Sequence, residues 1–346
     1  MNHLAGSPSE ADIAPAQGTR QTLRKAPPPP QLHGSSRLLP TFLVIGAMKS
    51  GTSSLYIYLK QHPEIYLADI KEPHFFAFDP SPRASLEAAP GYRQKAKYMV
   101  TDRSAYEALF TAATPSQARG EASAMYLYYP GTAERIRAAL PEVQLIAILR
   151  NPIERAYSAF LHQLREGNET LTDFGAALQL EEERIAQDYM PMWHYTRAGF
   201  YFEQLSRYYA VFDPSQIHVY LYEDLQRDPL ALVQELYRVI GVDPGFVPDT
   251  TKQYNRSGVP KNRLLHRVHR FLKGNHPIKT VGKRLLPLPA AVRSRFKLNL
   301  IAQIEAANLK KPPLDPAVRA QLVERYRSDV LELQDLIGRD LSHWLT

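Results

Sequence analysis

The stretch FLVIGAMKSGTSS, residues 42–54, decides the predicted fold. Its first four residues are an apolar run between a proline and a glycine, which is typical of a buried parallel strand. A helix is predicted from Thr52 to about Gln61, just before a proline. The small residues between strand and helix allow backbone N–H groups to converge on a phosphate, and Lys49 adds a positive charge. The stretch therefore predicts a P-loop-like phosphate site, with a tight turn capped by Thr or Ser as the alternative.

The order of residues in this loop differs from that of a P-loop kinase or ATPase. In those enzymes the lysine follows the second glycine, and an acidic residue at the end of a nearby strand holds Mg²⁺. Here Lys49 precedes Gly51, and the strand that could carry the acid ends at Arg150. Without an acid in that position, a bound anionic group would be held by the lysine and the backbone donors alone. We therefore expect no metal.

Two further strand–helix units follow the same pattern. Residues 143–149 form an apolar strand, and a helix with proline at its first position extends to about Glu166. Residues 217–222 form a third strand, and a helix follows over residues 229–240. Strands that alternate with helices predict an α/β fold with three layers and a mainly parallel sheet.

The two ends of the chain have a different composition. Residues 1–38 contain a run of four prolines and no apolar periodicity, which predicts a disordered tail before a single domain of residues 39–346. From about residue 262 the sequence predicts helices with basic faces between proline-rich turns, and a last helix over residues 316–337. The predicted domain therefore ends in a helical C-terminal region.

The composition of the 346-residue chain restricts its chemistry. Lys and Arg number 42 against 35 Asp and Glu, and the net charge of +7 favours anionic ligands such as nucleotides, acidic glycans or lipid surfaces. The absence of cysteine excludes disulfides, thiolate zinc sites and cysteine nucleophiles. Because no apolar stretch reaches about 18 residues and the N-terminus lacks a signal-peptide pattern, a cytoplasmic location is expected.

A second anchor for a nucleotide is predicted at the end of the strand over residues 143–149. Arg150 follows that strand at the edge where open α/β sheets bind ligands. Ser158 lies about two helical turns further on, so its hydroxyl and the guanidinium could share a phosphate. The alternative is an exposed arginine paired with a carboxylate such as Glu154, and a serine that faces solvent.

Together these motifs resemble the PAPS-dependent sulfotransferases, especially the branch of heparan sulfate sulfotransferase domains and bacterial carbohydrate sulfotransferases. The resemblance covers most of the chain from residue 39 onward. It implies that PAPS (3′-phosphoadenosine-5′-phosphosulfate) is the sulfuryl donor and PAP the product. The acceptor would be a hydroxyl or amine of a glycan, glycolipid or other small molecule. Residues implied to hold the 5′-phosphosulfate are Lys49, Ser50, Gly51, Thr52 and Ser53, and those implied to hold the 3′-phosphate are Arg150 and Ser158.

The same resemblance implies a catalytic base in the sequence KEPHFF, residues 71–76. Glu72 would remove the acceptor proton, and an apolar neighbourhood suits a carboxylate with a raised pKa. Lys49 would neutralise the charge that develops on the bridging oxygen of the leaving nucleotide. His74 is a rival base, because a histidine has this role in the cytosolic branch of the family. Without the resemblance, Lys71 and Glu72 could be a solvated ion pair.

The chain also departs from the heparan sulfate enzymes. They carry a lysine where this sequence has Ala122, so their pattern for reading a polyanion is not preserved. They also close a basic loop near the 3′-phosphate with a disulfide, which a chain without cysteine cannot form. Residues 254–263 resemble the corresponding lid, in which Lys261 or Arg263 would supply the charge. A basic solvated turn is the alternative.

A function of another class is binding to a polyanion through the basic C-terminal region. Basic and apolar residues alternate between residues 267 and 284, as in segments that bind nucleic acid or anionic lipid. A run of charge is usually a solvated face. We therefore expect no nucleic-acid partner, and keep peripheral contact with an anionic membrane surface as an open alternative.

Overall fold

The fold is built around a parallel sheet with one central strand. The computed structural model describes residues 39–78, 99–251, 258–260 and 309–346. Within them the sheet contains β1 Phe42–Gly46, β2 Ile65–Leu67, β3 Ala118–Ala122, β4 Gln144–Leu149 and β5 Ile217–Leu221. The strand order is β2-β3-β1-β4-β5, and each neighbouring pair is parallel. The strands that follow β1 are therefore added first on one side of it and then on the other. Open parallel sheets bind ligands at the carboxyl ends of the strands where this change of direction occurs.

Alternate residues of the central strands point to opposite faces of the sheet. In β1, Leu43 and Ile45 belong to one buried cluster, whereas Phe42 and Val44 belong to the other. Strand β4 divides its residues between the two clusters in the same way. Because both faces are buried, the predicted three-layer α/β fold with a mainly parallel sheet is confirmed.

Helices cover both faces. The described helices are α1 Thr52–Leu59, α2 Arg103–Ala108, α3 Thr132–Ala139, α4 Pro152–Glu166, α5 Phe174–Gln179, α6 Glu181–Ala186, α7 Tyr201–Tyr209, α8 Tyr222–Arg227, α9 Pro229–Ile240 and α10 Pro316–Ile337. Helices α1 and α9 pack on the face that carries Phe42 and Val44, whereas α4, α7 and α10 pack on the other. Among these helices, none combines the length and the apolar character that a membrane crossing requires.

Helix ends follow the signals in the sequence. Helices α4, α9 and α10 have the predicted bounds, and α1 ends two residues earlier than predicted. At the start of α4, Pro152 occupies the first position, and Asn151 Oδ1 accepts hydrogen bonds from the backbone nitrogens of Ile153 and Glu154 at 3.0 and 3.3 Å. Local capping therefore explains why this helix is predictable from its sequence alone.

Strands β2 and β3 are not predictable in the same way. Strand β2 has three residues, and β3 reads Ala-Arg-Gly-Glu-Ala, a composition that disfavours strands. Its Gly120 leaves room for the ring of Phe42, which would lie 2.3 Å from an added Cβ atom. Its Glu121 is completely buried. Tertiary packing, rather than local preference, therefore makes this segment a strand.

A short antiparallel ladder joins two described segments outside the main sheet. Strand β6, Val259–Pro260, pairs with β7, Leu309–Lys310. The predicted tail of residues 1–38, the basic helices predicted between residues 262 and 308, and Lys261 and Arg263 of the predicted lid lie outside the described residues. The division into a tail and one domain of residues 39–346 stays a prediction.

Gly51 provides a test of how the loop after β1 is packed. It precedes α1 with φ of 99°, and an added Cβ atom would lie 2.8 Å from Leu225 Cδ2. We expect Gly51→Ala to lower the free energy of unfolding by about 3 kcal/mol, through backbone strain and overpacking together. Chemical denaturation without ligand measures this change.

Gly241 is the matched control, because it has φ of 81° but nothing within 4 Å of an added Cβ atom. Gly241→Ala should therefore cost only the strain of the left-handed conformation, about 1–2 kcal/mol. Equal losses for the two variants would show that Leu225 does not restrict the loop.

Candidate active site

A cavity of about 900 Å³ lies at the carboxyl ends of the parallel strands. Its lining includes residues of the segments that come after β1, β3, β4 and β5. The structure brings most of the predicted site residues together there. Those that line the cavity are Lys49, Gly51, Thr52, Ser53, Glu72 and Arg150. Ser50 and Ser158 are buried and do not line it, at 0% and 1% exposure.

The loop between β1 and α1 presents backbone rather than a capping side chain. Ala47 N donates to Ile148 O at 2.8 Å, which ties the loop to β4. Gly51 is the N-cap of α1, and no side chain caps the helix there. The alternative of a turn capped by Thr or Ser is therefore not what the structure contains. Thr52 and Ser53, in the first turn of α1, line the cavity, as an anion-binding helix N-terminus requires.

Lys49 is held where its positive charge is unfavourable without an anion. Its backbone has φ of 67°, a left-handed conformation for a residue with a side chain. The pKa of Lys49 is lowered to about 7, mainly by burial and then by the charges of Arg165 and Arg150, whereas Glu72 and Glu166 oppose this shift. The lysine is therefore poised to gain a proton when an anion enters.

Arg150 connects the loop to two other parts of the site. Its Nη1 donates to the backbone oxygen of Lys49 at 3.2 Å, and its guanidinium lies 4.8 Å from the centre of the Tyr222 ring. Its Nη2 lies 4.0 Å from Glu154 Oε2, so the carboxylate partner considered from the sequence is present. Arg150 nevertheless lines the cavity. It therefore both supports the loop and faces the ligand space.

Lys311 is a cavity residue that the sequence analysis does not identify. It directly follows β7, forms an ion pair with Glu154, and lines the cavity. Arg319 of α10 also pairs with Glu154 but does not line the cavity. The sequence signal is weak, since two lysines before a proline pair are common in exposed turns. The pairing of β6 with β7, together with the ion pair to Glu154, places Lys311 at the site.

Helix α4 supplies further cavity residues, although Ser158 itself does not face the cavity. The lining residues from this helix are Glu154, Arg155, Ala159, His162 and Gln163. Arg155 donates to the backbone oxygen of Tyr195, and Arg165 Nη2 lies 2.9 Å from His162 Nδ1. Helical spacing from Arg155 to His162 could have indicated this face from the sequence. Ser158 does not face solvent either, and its contact with a 3′-phosphate stays a prediction.

The segment after β2 brings an acid into the same cavity. Glu72 Oε1 accepts from Lys71 Nζ at 3.1 Å, and Glu72 Oε2 lies 3.6 Å from His74 Nε2. The side chain of Glu72 is 20% exposed and lines the cavity, whereas that of His74 is 0% exposed and does not. Of the two candidate bases, Glu72 is therefore the one that faces the ligand space.

The residue that differs from the heparan sulfate enzymes does not face the cavity. Ala122 is completely buried at the end of β3, within the cluster that includes Phe42 and Val44. Its backbone oxygen accepts from Glu72 N at 2.9 Å. Ala122 therefore supports the position of the acid through its backbone. Within the described ranges, no group of three or more His, Asp or Glu side chains is arranged to hold a metal ion.

Comparisons with known proteins agree with this geometry. A family model described as "Sulfotransferase family" matches residues 40–248. The crystal structure of a sulfotransferase from Alicyclobacillus acidocaldarius is 34% identical, with a TM-score of 0.68 over 89% of this chain and 99% of that one. The bifunctional heparan sulfate N-deacetylase/N-sulfotransferase 4 of Mus musculus is 25% identical over 89% of this chain. Carbohydrate sulfotransferase 15 of Homo sapiens is 26% identical over 61%. This chain spans 31% of the mouse protein and 45% of the human one.

The lowered pKa of Lys49 predicts that this lysine takes up a proton when an anionic nucleotide binds. At pH 8 a lysine with a pKa of about 7 is mostly neutral, and a bound phosphate raises that pKa. We expect PAP binding at pH 8 to take up about one proton, and PAP affinity to fall as the pH rises from 7 to 9. Calorimetry in two buffers with different ionisation enthalpies measures the uptake.

Lys49→Arg is the control, because a guanidinium stays charged throughout this range. The enthalpy of PAP binding to the Lys49→Arg variant should be the same in the two buffers. A parent protein whose binding enthalpy is the same in both buffers would contradict the assignment of Lys49 to the nucleotide anion.

Proposed function

The chain belongs to the sulfotransferase family, and we propose that this sulfotransferase uses PAPS to sulfate a hydroxyl or amine of a glycan, a glycolipid or another small molecule. The observation that carries the proposal is that Lys49 and Glu72 line one cavity at the carboxyl ends of the strands. A cation for the leaving group and a base for the acceptor are the two functions that this transfer needs.

The residues of the cavity fit a nucleotide with two anionic ends. Gly51, Thr52 and Ser53 at the N-terminus of α1 line the cavity together with Lys49. A second group of cations, Arg150 and Lys311, lies around Glu154 on the same cavity. We assign the 5′-phosphosulfate to the first group and the 3′-phosphate to the second, together with the predicted Ser158.

When bound, PAPS supplies a sulfuryl group activated by its link to phosphate. We assign to Glu72 the removal of the acceptor proton while the acceptor oxygen or nitrogen attacks sulfur. Lys49 stabilises the negative charge that forms on the bridging oxygen as its bond to sulfur breaks. Lys71 and His74, which contact the Glu72 carboxylate, limit the directions in which it can point. The helix N-terminus and loop backbone provide further positive potential for the nucleotide.

The relatives support a carbohydrate acceptor, since their names include heparan sulfate and carbohydrate sulfotransferases. They are much longer than this chain, so their acceptors enter only as support for the proposal. Several expectations from the sequence stay predictions. These are a cytoplasmic location, peripheral contact with an anionic membrane surface, the absence of a nucleic-acid partner, and transfer without a metal.

The role of Glu72 can be separated from nucleotide binding. Glu72→Gln keeps the shape and hydrogen-bonding capacity of the side chain but removes the basic carboxylate. We expect kcat to fall about 10²-fold, the usual contribution of a positioned base. PAP affinity should stay the same or rise, because an anion is removed from beside Lys49. A turnover assay and calorimetry measure the two effects.

His74→Gln is the comparison for this variant. The side chain of His74 is buried, so we expect this variant to lower the free energy of unfolding by more than it raises the activation free energy of the chemical step. Full turnover by Glu72→Gln, together with an inactive but folded His74→Gln protein, would show that His74 and not Glu72 is the base.

The second group of cations predicts selectivity for the 3′-phosphate. We expect Lys311→Ala to raise the dissociation constant for PAP about tenfold, the usual effect of losing a charge-assisted hydrogen bond. Binding of adenosine 5′-phosphosulfate, which lacks the 3′-phosphate, should change little, and Ser158→Ala should have the same selectivity. Arg150→Ala should weaken both ligands, because Arg150 also holds the backbone of Lys49.

Arg319→Ala is the matched control for Lys311→Ala. Arg319 forms the other ion pair with Glu154 and does not line the cavity. It should leave the ratio of the two affinities unchanged. If Lys311→Ala weakens both ligands equally, the 3′-phosphate does not bind beside Glu154.

A further inference from the structure

The segment that carries Glu72 has a backbone that its own sequence does not favour. Glu72 and His74 have φ of 62° and 55°, and neither is a glycine. Such left-handed residues cost free energy and persist only where the surroundings fix them. Ordinary backbone bonds supply part of this support, including Glu72 N to Ala122 O at 2.9 Å and Val100 N to Pro73 O at 2.8 Å.

The remaining support comes from residues whose side chains carry a hydroxyl group. His74 N donates to Ser123 Oγ at 3.0 Å, and Phe76 N donates to the Tyr126 hydroxyl at 3.3 Å. The ring of Phe75 stacks on that of Tyr106, with centroids 4.3 Å apart and planes within 10°. Three consecutive residues of the segment are therefore each held by a residue that carries a hydroxyl.

All three hydroxyl groups meet at one carboxylate, that of Glu121 in β3. Ser123 Oγ donates to Glu121 Oε2 at 2.8 Å, and the Tyr106 hydroxyl donates to Oε1 at 3.3 Å. Burial raises the pKa of Glu121 to about 7, and the Tyr126 hydroxyl, like those of Ser123 and Tyr106, opposes this shift. Glu121 is completely buried and does not line the cavity, so it does not meet a ligand directly.

The backbone N–H groups of His74 and Phe76 determine which group donates in each of these hydrogen bonds. A backbone N–H can only donate, so Ser123 Oγ accepts from His74 and the Tyr126 hydroxyl accepts from Phe76. Each hydroxyl then has its own proton left to give. The carboxylate accepts both in its ionised form, which burial disfavours and these hydroxyl groups favour. The Tyr106 hydroxyl fills a further lone pair of Glu121. Glu121 is therefore the common acceptor on which the orientation of residues 74–76 depends.

We propose that Glu121 is a positioning residue for sulfuryl transfer, which orients the Glu72 carboxylate by fixing residues 74–76 through Ser123, Tyr126 and Tyr106. This inference rests on the proposed function of Glu72 as the base. Glu121 acts at a distance, and its effect belongs to the chemical step. Binding of the nucleotide, which uses the loop after β1, does not depend on it.

Glu121→Gln tests the direction of the bonds, because an amide keeps one acceptor oxygen for the hydroxyl protons and replaces the other with an NH2 group that can only donate. We expect kcat to fall about 10- to 100-fold, as for other small displacements of a catalytic group. The dissociation constant for PAP should stay within about twofold. Ser123→Ala and Tyr126→Phe each remove one link while keeping the carboxylate, and each should lower kcat by a smaller factor.

A double-mutant cycle separates positioning from general damage to the fold. If Glu121 acts through Glu72, adding Glu121→Gln to Glu72→Gln should cause no further loss of kcat. Losses that multiply, or an unchanged kcat for the single Glu121→Gln variant, would overturn the inference. If Glu72→Gln itself keeps full turnover, the proposed function of Glu72 fails first, so the two failures are distinguishable.

Asp329→Asn is the matched control for removing a buried carboxylate. Asp329 is nearly completely buried and accepts from the backbone nitrogens of Phe202 and Glu203 at 3.2 and 3.4 Å, at the start of α7. This variant should lower thermal stability and leave kcat within about twofold of the parent. A loss of kcat equal to that of Glu121→Gln would make the effect a general one of losing a buried acid, and would also overturn the inference.

Discussion

The hydrogen bond from Arg150 Nη1 to the backbone oxygen of Lys49 joins the ends of β4 and β1. Lys49 needs this support because its left-handed backbone costs about 1–2 kcal/mol in a residue with a side chain. The same guanidinium lies over the ring of Tyr222, which directly follows β5. One arginine side chain therefore connects the segments that follow three strands, β1, β4 and β5, and supports the loop that carries Lys49.

The site gathers charges of both signs in a partly buried space. Lys49 lies among cations whose effect on its pKa is opposed by Glu72 and Glu166, and Glu154 holds both Lys311 and Arg319 in ion pairs. These carboxylates keep the cations oriented in the absence of ligand. An anion that enters beside Glu154 therefore meets charges that are already in place and need little reorganisation, whereas Lys49 gains its charge as the anion binds.

The predictable parts of the fold are those determined by local sequence. Strands β1, β4 and β5 are apolar runs, and α4 carries its own cap and first-position proline, so both types of signal are visible without tertiary structure. Strand β3 has no such signal, because Glu121 is a charged residue whose burial depends on hydroxyl groups from distant segments. For the same reason Lys311 could not be assigned to the site, whereas Arg150, which directly follows β4, and Lys49, in the loop after β1, could.

Strands β6 and β7 hold the two ends of residues 261–308 side by side, since Val259 pairs with Lys310 and Pro260 with Leu309. Antiparallel partners lie about 5 Å apart, and the entropy cost of closing a loop rises only slowly with its length. The ladder therefore fixes the distance between Pro260 and Leu309 that the intervening sequence has to span. Because that distance is set by the ladder, Lys311, one residue beyond it, can keep its place at the cavity when the length of the intervening sequence changes.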